Sequence, residues 1–222
     1  MAVVILGYAL SLVVAYFLGS IPTGFLVAKA RGVDIRTVGS GNIGATNVFR
    51  YLGKPAGIFV LLVDALKGWL AAYVWANMVL AWFFPNASET VRDAVRVSAG
   101  FGAILGHNFT CWLHFKGGKG IATSAGMLIA LVWPALLIIL GVWTVLFALT
   151  RYVSLASICA AAMLPVAAWL THESLAMIAV MVGMAALAIY KHRANIQRLL
   201  NGTENRISFK KTASPAGTPR QS

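Results

Sequence analysis

Phe115-Lys116-Gly117-Gly118-Lys119-Gly120-Ile121-Ala122-Thr123 stands between two long apolar runs, and its three glycines and two lysines decide how the chain is read. Such a segment cannot lie in lipid, because its backbone is too permissive to hold a span and its charges are too dense. It is a loop, so the runs on either side are separate membrane segments. Backbone N–H groups beside an ammonium are what a phosphate needs from a protein, and an anion cradle is one reading of the loop. An ordinary charged connection between helices is the other.

The rest of the composition agrees that the solvent is lipid. Of 222 residues, 59% are hydrophobic and 11% charged, with a mean hydropathy of +0.80. A soluble domain carries roughly a quarter charged residues. The net charge of +12 fits anionic headgroups, positive-inside orientation or anionic substrates. Nucleic-acid binding fits poorly, since no soluble part is present to carry a groove-reading element. Cys111 and Cys159 lie in apolar runs and read as small core residues. The first run lacks a basic n-region and is long, so it reads as a span and not as a cleaved signal peptide.

Outward from the loop, apolar runs extend over Val3–Ala28, Pro55–Phe84, Val97–Phe115, Ile121–Leu149, Tyr152–Leu170 and Leu175–Tyr190. The first contains Gly19-Ser20-Ile21-Pro22, which predicts a kink or early unwinding. Pro85–Arg96 reads as a short connection. Six spans conflict with charge: Lys29–Lys54 holds five cations, the central loop two and the tail from Lys191 seven. The positive-inside rule wants all three regions in the cytoplasm. Splitting Ile121–Leu149 near Trp133-Pro134 resolves this, with two short helices of about 14 residues, or roughly 21 Å each. The expected fold is an all-α polytopic bundle of seven crossings, N-terminus outside and C-terminus cytoplasmic. Residues 1–207 form one transmembrane catalytic domain, and 208–222 a disordered cytoplasmic tail.

This topology puts three polar segments on one face. The first, Gly39-Ser40-Gly41-Asn42-Ile43-Gly44-Ala45-Thr46-Asn47-Val48-Phe49-Arg50, matches Gly-x-Gly-x-x-Gly but lacks the βαβ setting of a dinucleotide site. What remains is a run of N–H groups, the Ser40 hydroxyl, the Asn42 and Asn47 amides, and Arg50, whose guanidinium can grip phosphate with two bonds. The central loop is not a Walker A motif: Lys119 precedes Gly120, position 113 is Leu, and no acidic pair is at hand for magnesium. The third segment is His192–Glu204. In a helix, His192 and Asn195 share a face, with Gln197 and Arg198 rotated away. His192 would donate to a phosphate or orient a hydroxyl; a lipid-bound amphipathic tail is the competing reading.

Asp64 and Lys67 share a helical face inside an apolar run and are read as a structural pair. His107 and Asn108 sit in the third run and read as partners of neighbouring helices. His114 stays open, and His172 falls on the outer side, where it reads as inert.

Taken in order, Gly39–Arg50, Gly106-His107 with Phe115–Thr123, and His192–Glu204 resemble the bacterial acyl-phosphate glycerol-3-phosphate acyltransferase family. Asp64-x-x-Lys67-Gly68 and Gly19-Ser20-Ile21-Pro22 are similar too, and the likeness covers about Gly19 to Ile207. It implies acyl transfer from acyl phosphate to the 1-hydroxyl of glycerol 3-phosphate, giving lysophosphatidic acid and phosphate at the bacterial inner membrane. By motif position, Ser40, Arg50, His192 and Asn195 would be catalytic. Gly39, Gly41, Asn42, Gly44, Thr46, Asn47, Gly117, Gly118, Lys119, Gly120 and Thr123 would bind substrate or phosphate. Asp64, Lys67, His107 and Glu204 would be structural near the site. The resemblance calls for no cofactor and no metal. The partners it implies are acyl phosphate, glycerol 3-phosphate, membrane lipid and the soluble enzyme that makes acyl phosphate.

One feature of the residues points the same way. No histidine has Asp five positions on, where another acyltransferase family keeps its oriented base, and no nucleophile triad is evident. An enzyme so equipped suits an already activated donor, with the leaving phosphate taking the hydroxyl's proton. A transporter of a phosphorylated solute is the alternative, though such proteins place their binding groups at the midplane on broken helices. A non-catalytic lipid-binding scaffold explains the tail but not the three loops.

Overall fold

The computed structural model describes residues 2–207; the disordered tail expected at 208–222 lies outside the described residues. Among the described residues every regular element is a helix, with no strand. Helix α1 (Ala2–Ser20) stops where Pro22 removes a backbone donor, and α2 (Thr23–Lys29) resumes after it. The unwinding expected at Gly19–Pro22 is therefore present. It frees the Ile21 carbonyl, which accepts hydrogen bonds from the Thr23 N–H at 3.0 Å and the Lys67 ammonium at 3.1 Å.

After a polar loop, α3 (Ala45–Leu52) and α4 (Lys54–Trp69) follow, then a π-helical turn, Leu70–Trp75, and α5 (Ala76–Phe83). From Lys54 to Phe83 these make one 30-residue apolar helix. Helix α3 is an addition to the sequence reading, which left this segment a loop; it buries Asn47 and Val48.

The third run differs from expectation at both ends. Helix α6 runs from Glu89 to Asn108, so residues read as a connection are helical. Their charges pair along the helix, Glu89 with Arg92 at 3.7 Å and Asp93 with Arg96 at 3.8 Å, which lets a polar stretch join an apolar one. At the other end His107 and Asn108 close the helix instead of sitting within it. Helices α1 and α6 pack through glycines, Gly102 on the Leu12 carbonyl and Gly106 on the Tyr16 carbonyl. Those pairings make the two helices parallel, as one intervening crossing requires.

A 3₁₀ turn, Cys111–Leu113, leads into the glycine loop and then α7 (Ile121–Leu131), α8 (Trp133–Thr150), α9 (Val153–Leu170), α10 (Leu175–Lys191) and α11 (Arg193–Leu200). The split expected near Trp133-Pro134 falls at Val132, which leaves the helical conformation (φ −143°, ψ 55°) between α7 and α8. The halves are 11 and 18 residues long instead of equal, because Pro134 starts α8 and lets it run on to Thr150. Helix α7 turns back along α6, with Gly120 beside Asn108 and Met127 against Gly100. Helix α8 ends at Arg151, whose carbonyl accepts from the Ile207 N–H at 3.0 Å. Among the described residues four helices are long and apolar enough to cross a membrane, and α10 with α11, bent by 58° at His192, makes a fifth if counted as one. Apolar cores lie on either side of α6. One is formed with α1 and α5 around Val79 and Val95, the other by α7 to α10 around Met127, Leu164 and Met181.

Candidate active site

The loop that opened the sequence reading is seated on the end of α6. Gly117 N–H donates to the Asn108 carbonyl at 3.2 Å and Gly118 N–H to the His107 carbonyl at 2.9 Å. A Cβ on Gly118 would collide with the His107 imidazole. Gly120 takes φ 81°, where an L side chain is strained, and starts α7. This corrects the simplest picture of the cradle. The Gly117 and Gly118 N–H groups hold the loop down, and the donors left for an anion are the first-turn amides of α7 together with Lys119. Thr123, in that first turn, is buried with no partner for its hydroxyl.

Lys119 reaches away from the loop to the third segment, where its ammonium donates to Asn195 Oδ1 at 2.5 Å. The break at His192 makes this possible. The His192 carbonyl accepts from the N–H groups of Asn195 and Ile196 at 2.8 and 2.9 Å, turning α11 away from α10 and bringing Asn195 inward. Asn195 then donates to Glu204 Oε1 at 3.0 Å. Arg198 Nε donates to Glu204 Oε2 at 2.8 Å, and Ser154 Oγ to Oε1 at 3.0 Å. Expected to be rotated away, Arg198 is part of the cluster, because the chain after α11 folds back and carries Glu204 to it.

Electrostatics follow from this crowding. Burial, with Arg198, Arg50 and Lys191 nearby, brings the Lys119 ammonium down to about 8, against the opposing pull of Glu204. Burial and the Lys119 charge bring His192 to about 4, so its ring is neutral at pH 7. His192 Nδ1 lies 2.8 Å from the Ala188 carbonyl, which in a neutral ring puts the proton on Nδ1 and leaves Nε2 as an acceptor. In that form Nε2 can orient a hydroxyl by accepting from it, whereas donation to a phosphate requires the protonated ring. Burial would raise the Glu204 carboxyl, but bonds from Arg198, Asn195 and Ser154 hold it below its ordinary value.

The first segment divides in two. Asn47 is buried and its amide is spent inside the loop: Nδ2 donates to the Ile35 and Val38 carbonyls at 3.2 and 3.0 Å, and Oδ1 accepts from Ser40 N–H at 3.0 Å. Asn42 Oδ1 accepts from Gly44 N–H at 2.8 Å. Gly39 and Gly41 take φ 59° and 68°, and a Cβ on Gly39 would strike the Asn47 amide. These residues shape the loop. Thr46 is half-buried in the first turn of α3, and Ser40 makes no hydrogen bond to the other two segments. Arg50 does reach them, donating to the Asn205 carbonyl at 2.8 Å, with its buried Nε unpartnered. The site thus gathers Arg50, Lys119, His192, Asn195, Arg198 and Glu204.

Asp64 and Lys67 form the expected buried pair at 2.8 Å, with His107 Nδ1 3.6 Å from the same carboxylate oxygen. Ser154 was missed by sequence reasoning. Its only signal is a hydroxyl following Arg151-Tyr152-Val153 at the head of an apolar run. Among the described residues no three His, Cys, Asp or Glu side chains come together as metal ligands would.

Comparison with known proteins is consistent along nearly the whole chain. A family model described as Glycerol-3-phosphate acyltransferase matches residues 9–202. A glycerol-3-phosphate acyltransferase of Fusobacterium nucleatum subsp. nucleatum is 43% identical over 199 residues, covering 89% of this chain and 97% of its own. One from Brucella anthropi is 46% identical over 202 residues, covering 90% and 93%. The crystal structure of PlsY (YgiH), an integral membrane glycerol 3-phosphate acyltransferase, in its glycerol 3-phosphate form is 39% identical. It superposes with TM-score 0.81 over 90% of this chain and 96% of that one. The lysophosphatidic acid form gives 0.77 at 37% identity, covering 92% and 95%.

Proposed function

The chain belongs to the glycerol-3-phosphate acyltransferase family, and from that premise we propose that it takes its acyl group from acyl phosphate and delivers it to the 1-hydroxyl of glycerol 3-phosphate. The single observation that carries the proposal is the gathering of Arg50, Lys119 and Arg198 around Glu204, with a neutral His192 beside Lys119 and, among the described residues, no nucleophile–base pair at the cluster. Such a site is built to hold two phosphates and a hydroxyl, not to activate a nucleophile of its own.

In the proposed reaction Lys119 and the first-turn amides of α7 hold the phosphate of glycerol 3-phosphate, and Arg50 grips the acyl phosphate. His192 Nε2 accepts the hydroxyl's hydrogen bond and aims its oxygen, while Asn195 ties Lys119 to this centre. The oxygen attacks the acyl carbonyl, the carbon–oxygen bond to phosphate breaks, and the leaving phosphate takes the proton. Products are lysophosphatidic acid and inorganic phosphate. An imidazole brought to about 4 is a poor base, which supports giving the proton to phosphate. Ser40 stays in the first loop as a substrate-binding hydroxyl without an acyl-serine intermediate.

The same proposal sets the enzyme in the bacterial cytoplasmic membrane as a single domain of residues 1–207. It would cross seven times, N-terminus outside and site on the cytoplasmic face, supplied by a soluble enzyme that makes acyl phosphate. The parallel α1 and α6 and the return of α7 along α6 support the crossing count.

The test is direct. Purified protein given palmitoyl phosphate and labelled glycerol 3-phosphate should make labelled lysophosphatidic acid and release one phosphate per turnover. Folded protein that makes none, or that needs an acyl thioester instead, overturns the proposal.

A further inference from the structure

Three charged or titratable side chains lie together, buried between helices, with no part in the reaction just described. Asp64 and Lys67 come from α4 and His107 from the end of α6, and all three are buried. A buried ion pair is costly to desolvate and is weak evidence for stability in itself, so its retention asks for a reason. Here the reason lies in what the three side chains touch.

Lys67 forms an ion pair with Asp64 Oδ1 at 2.8 Å and donates to the Ile21 carbonyl at 3.1 Å, the acceptor left bare where Pro22 breaks the first span. Asp64 in turn faces His107 Nδ1 at 3.6 Å. That distance is long for a hydrogen bond but close enough for the carboxylate to set the ring's tilt. The other edge of the ring meets the glycine loop: a Cβ on Gly118 would run into His107 Nε2, and Gly118 N–H donates to the His107 carbonyl. One residue on is Lys119. The same face of α4 supports the far side of the loop, since Gly68 lies flush on the Thr123 backbone and Gly126 on the Ala65 carbonyl. The loop is therefore registered from both ends against one rigid surface.

We propose that His107 is a positioning residue for Lys119, held in place by the buried Asp64–Lys67 pair. The glycine loop has no core of its own, and its permissive backbone would let the Lys119 ammonium wander by more than the reaction geometry tolerates. The imidazole is the floor that removes this freedom, and glycine is required at 118 because the floor comes up to the backbone. This inference rests on reading Lys119 as the ligand of the acceptor's phosphate.

Replacing Asp64 strands a buried ammonium and risks the fold, so the test uses His107. His107→Leu keeps a buried side chain but removes the ring nitrogens, and His107→Gln returns an N–H toward Asp64. His107→Leu should raise KM for glycerol 3-phosphate about tenfold and leave KM for palmitoyl phosphate within about twofold, with His107→Gln recovering most of the loss. Amide hydrogen exchange at Gly117 and Gly118 should accelerate in His107→Leu and return toward native rates in His107→Gln. The inference is overturned if both KM values rise together, if Leu and Gln behave alike, or if exchange in the loop is unmoved. A native protein that turns over no substrate would sink the functional proposal instead, and hydrogen exchange would still decide this one.

Discussion

Lys119 and Asn195 stand 76 residues apart in the chain and meet at 2.5 Å, ammonium to amide oxygen. Asn195 passes the contact on to Glu204, and Glu204 to Arg198 and Ser154. The glycine loop and the α10–α11 break are thereby one structure, and the charge on Lys119 is set by both.

We predict a basic limb in the activity profile from Lys119. With its free-enzyme value at about 8, raising the pH through that point removes the ammonium and with it the phosphate's partner. Apparent kcat/KM for glycerol 3-phosphate should fall above about pH 8, whereas kcat, which reports the occupied enzyme, should turn over later because bound phosphate favours the charged form. Lys119→Arg should lose the limb, and Lys119→Ala should lower kcat/KM about 10- to 100-fold, the size of a lost charge-assisted bond. A profile flat to pH 9.5 in the native enzyme would remove Lys119 from phosphate binding.

His192 gives a prediction on stability with the opposite pH sense. Its folded value of about 4 lies below the ordinary 6.5, so between these the unfolded chain binds the proton and the folded one does not. Stability therefore rises with pH across this window and is lost on acidification, by about 3 kcal/mol in all if the ring stays buried. His192→Gln should flatten the dependence between pH 6.5 and 4. Thermal unfolding followed in both proteins across this range measures the difference directly.

Glu204 and Ser154 should separate positioning from contact with substrate. Glu204→Gln keeps the shape but weakens the hold on Arg198, which should lower kcat about 10- to 100-fold with smaller changes in either KM. Ser154→Ala removes one neutral hydrogen bond and should cost about tenfold or less. Steady-state kinetics with each substrate varied in turn gives the split. A larger effect from Ser154→Ala than from Glu204→Gln would mean that the serine touches substrate itself.

Much of this was legible in the sequence, and the gaps have physical causes. Pro22 and Pro134 announced two breaks, since a residue without an N–H leaves a mark that context rarely overrides. His192 and Asn195 are both buried, but it is the turn at His192 and not one helical face that places them. Arg198 was misjudged by helical periodicity, which stops at the helix end and cannot see Glu204 returning six residues later. Ser154 was invisible because one hydroxyl in an apolar run has no pattern. Asn47 and the Gly117–Gly118 amides were read as substrate ligands, and the bonds they make within the chain were not foreseen, for a donor's partner depends on which carbonyl folding brings within reach. The start of α6 was lost to its charges, which pair along the helix instead of marking a loop.

The unequal halves α7 and α8 bear most directly on topology. Helix α7 has 11 residues, a rise of roughly 16 Å, too little to cross the hydrocarbon alone. If the chain crosses seven times, Val132 and Trp133 must sit at depth or beneath a thinned bilayer, with α8 covering the remaining distance on its return. Cysteine labelling of right-side-out and inverted vesicles, in a background with Cys111 and Cys159 replaced, tests this. Cysteines at Asn86 and Thr171 should react from the outer side and cysteines at Lys54 and Gly202 from the inner side. Trp133→Cys should react slowly, and only with an outer reagent small enough to enter the bilayer boundary. Labelling of Thr171→Cys from the inner side would leave an even number of crossings between the glycine loop and the α9–α10 turn, and the seven-crossing arrangement would fall.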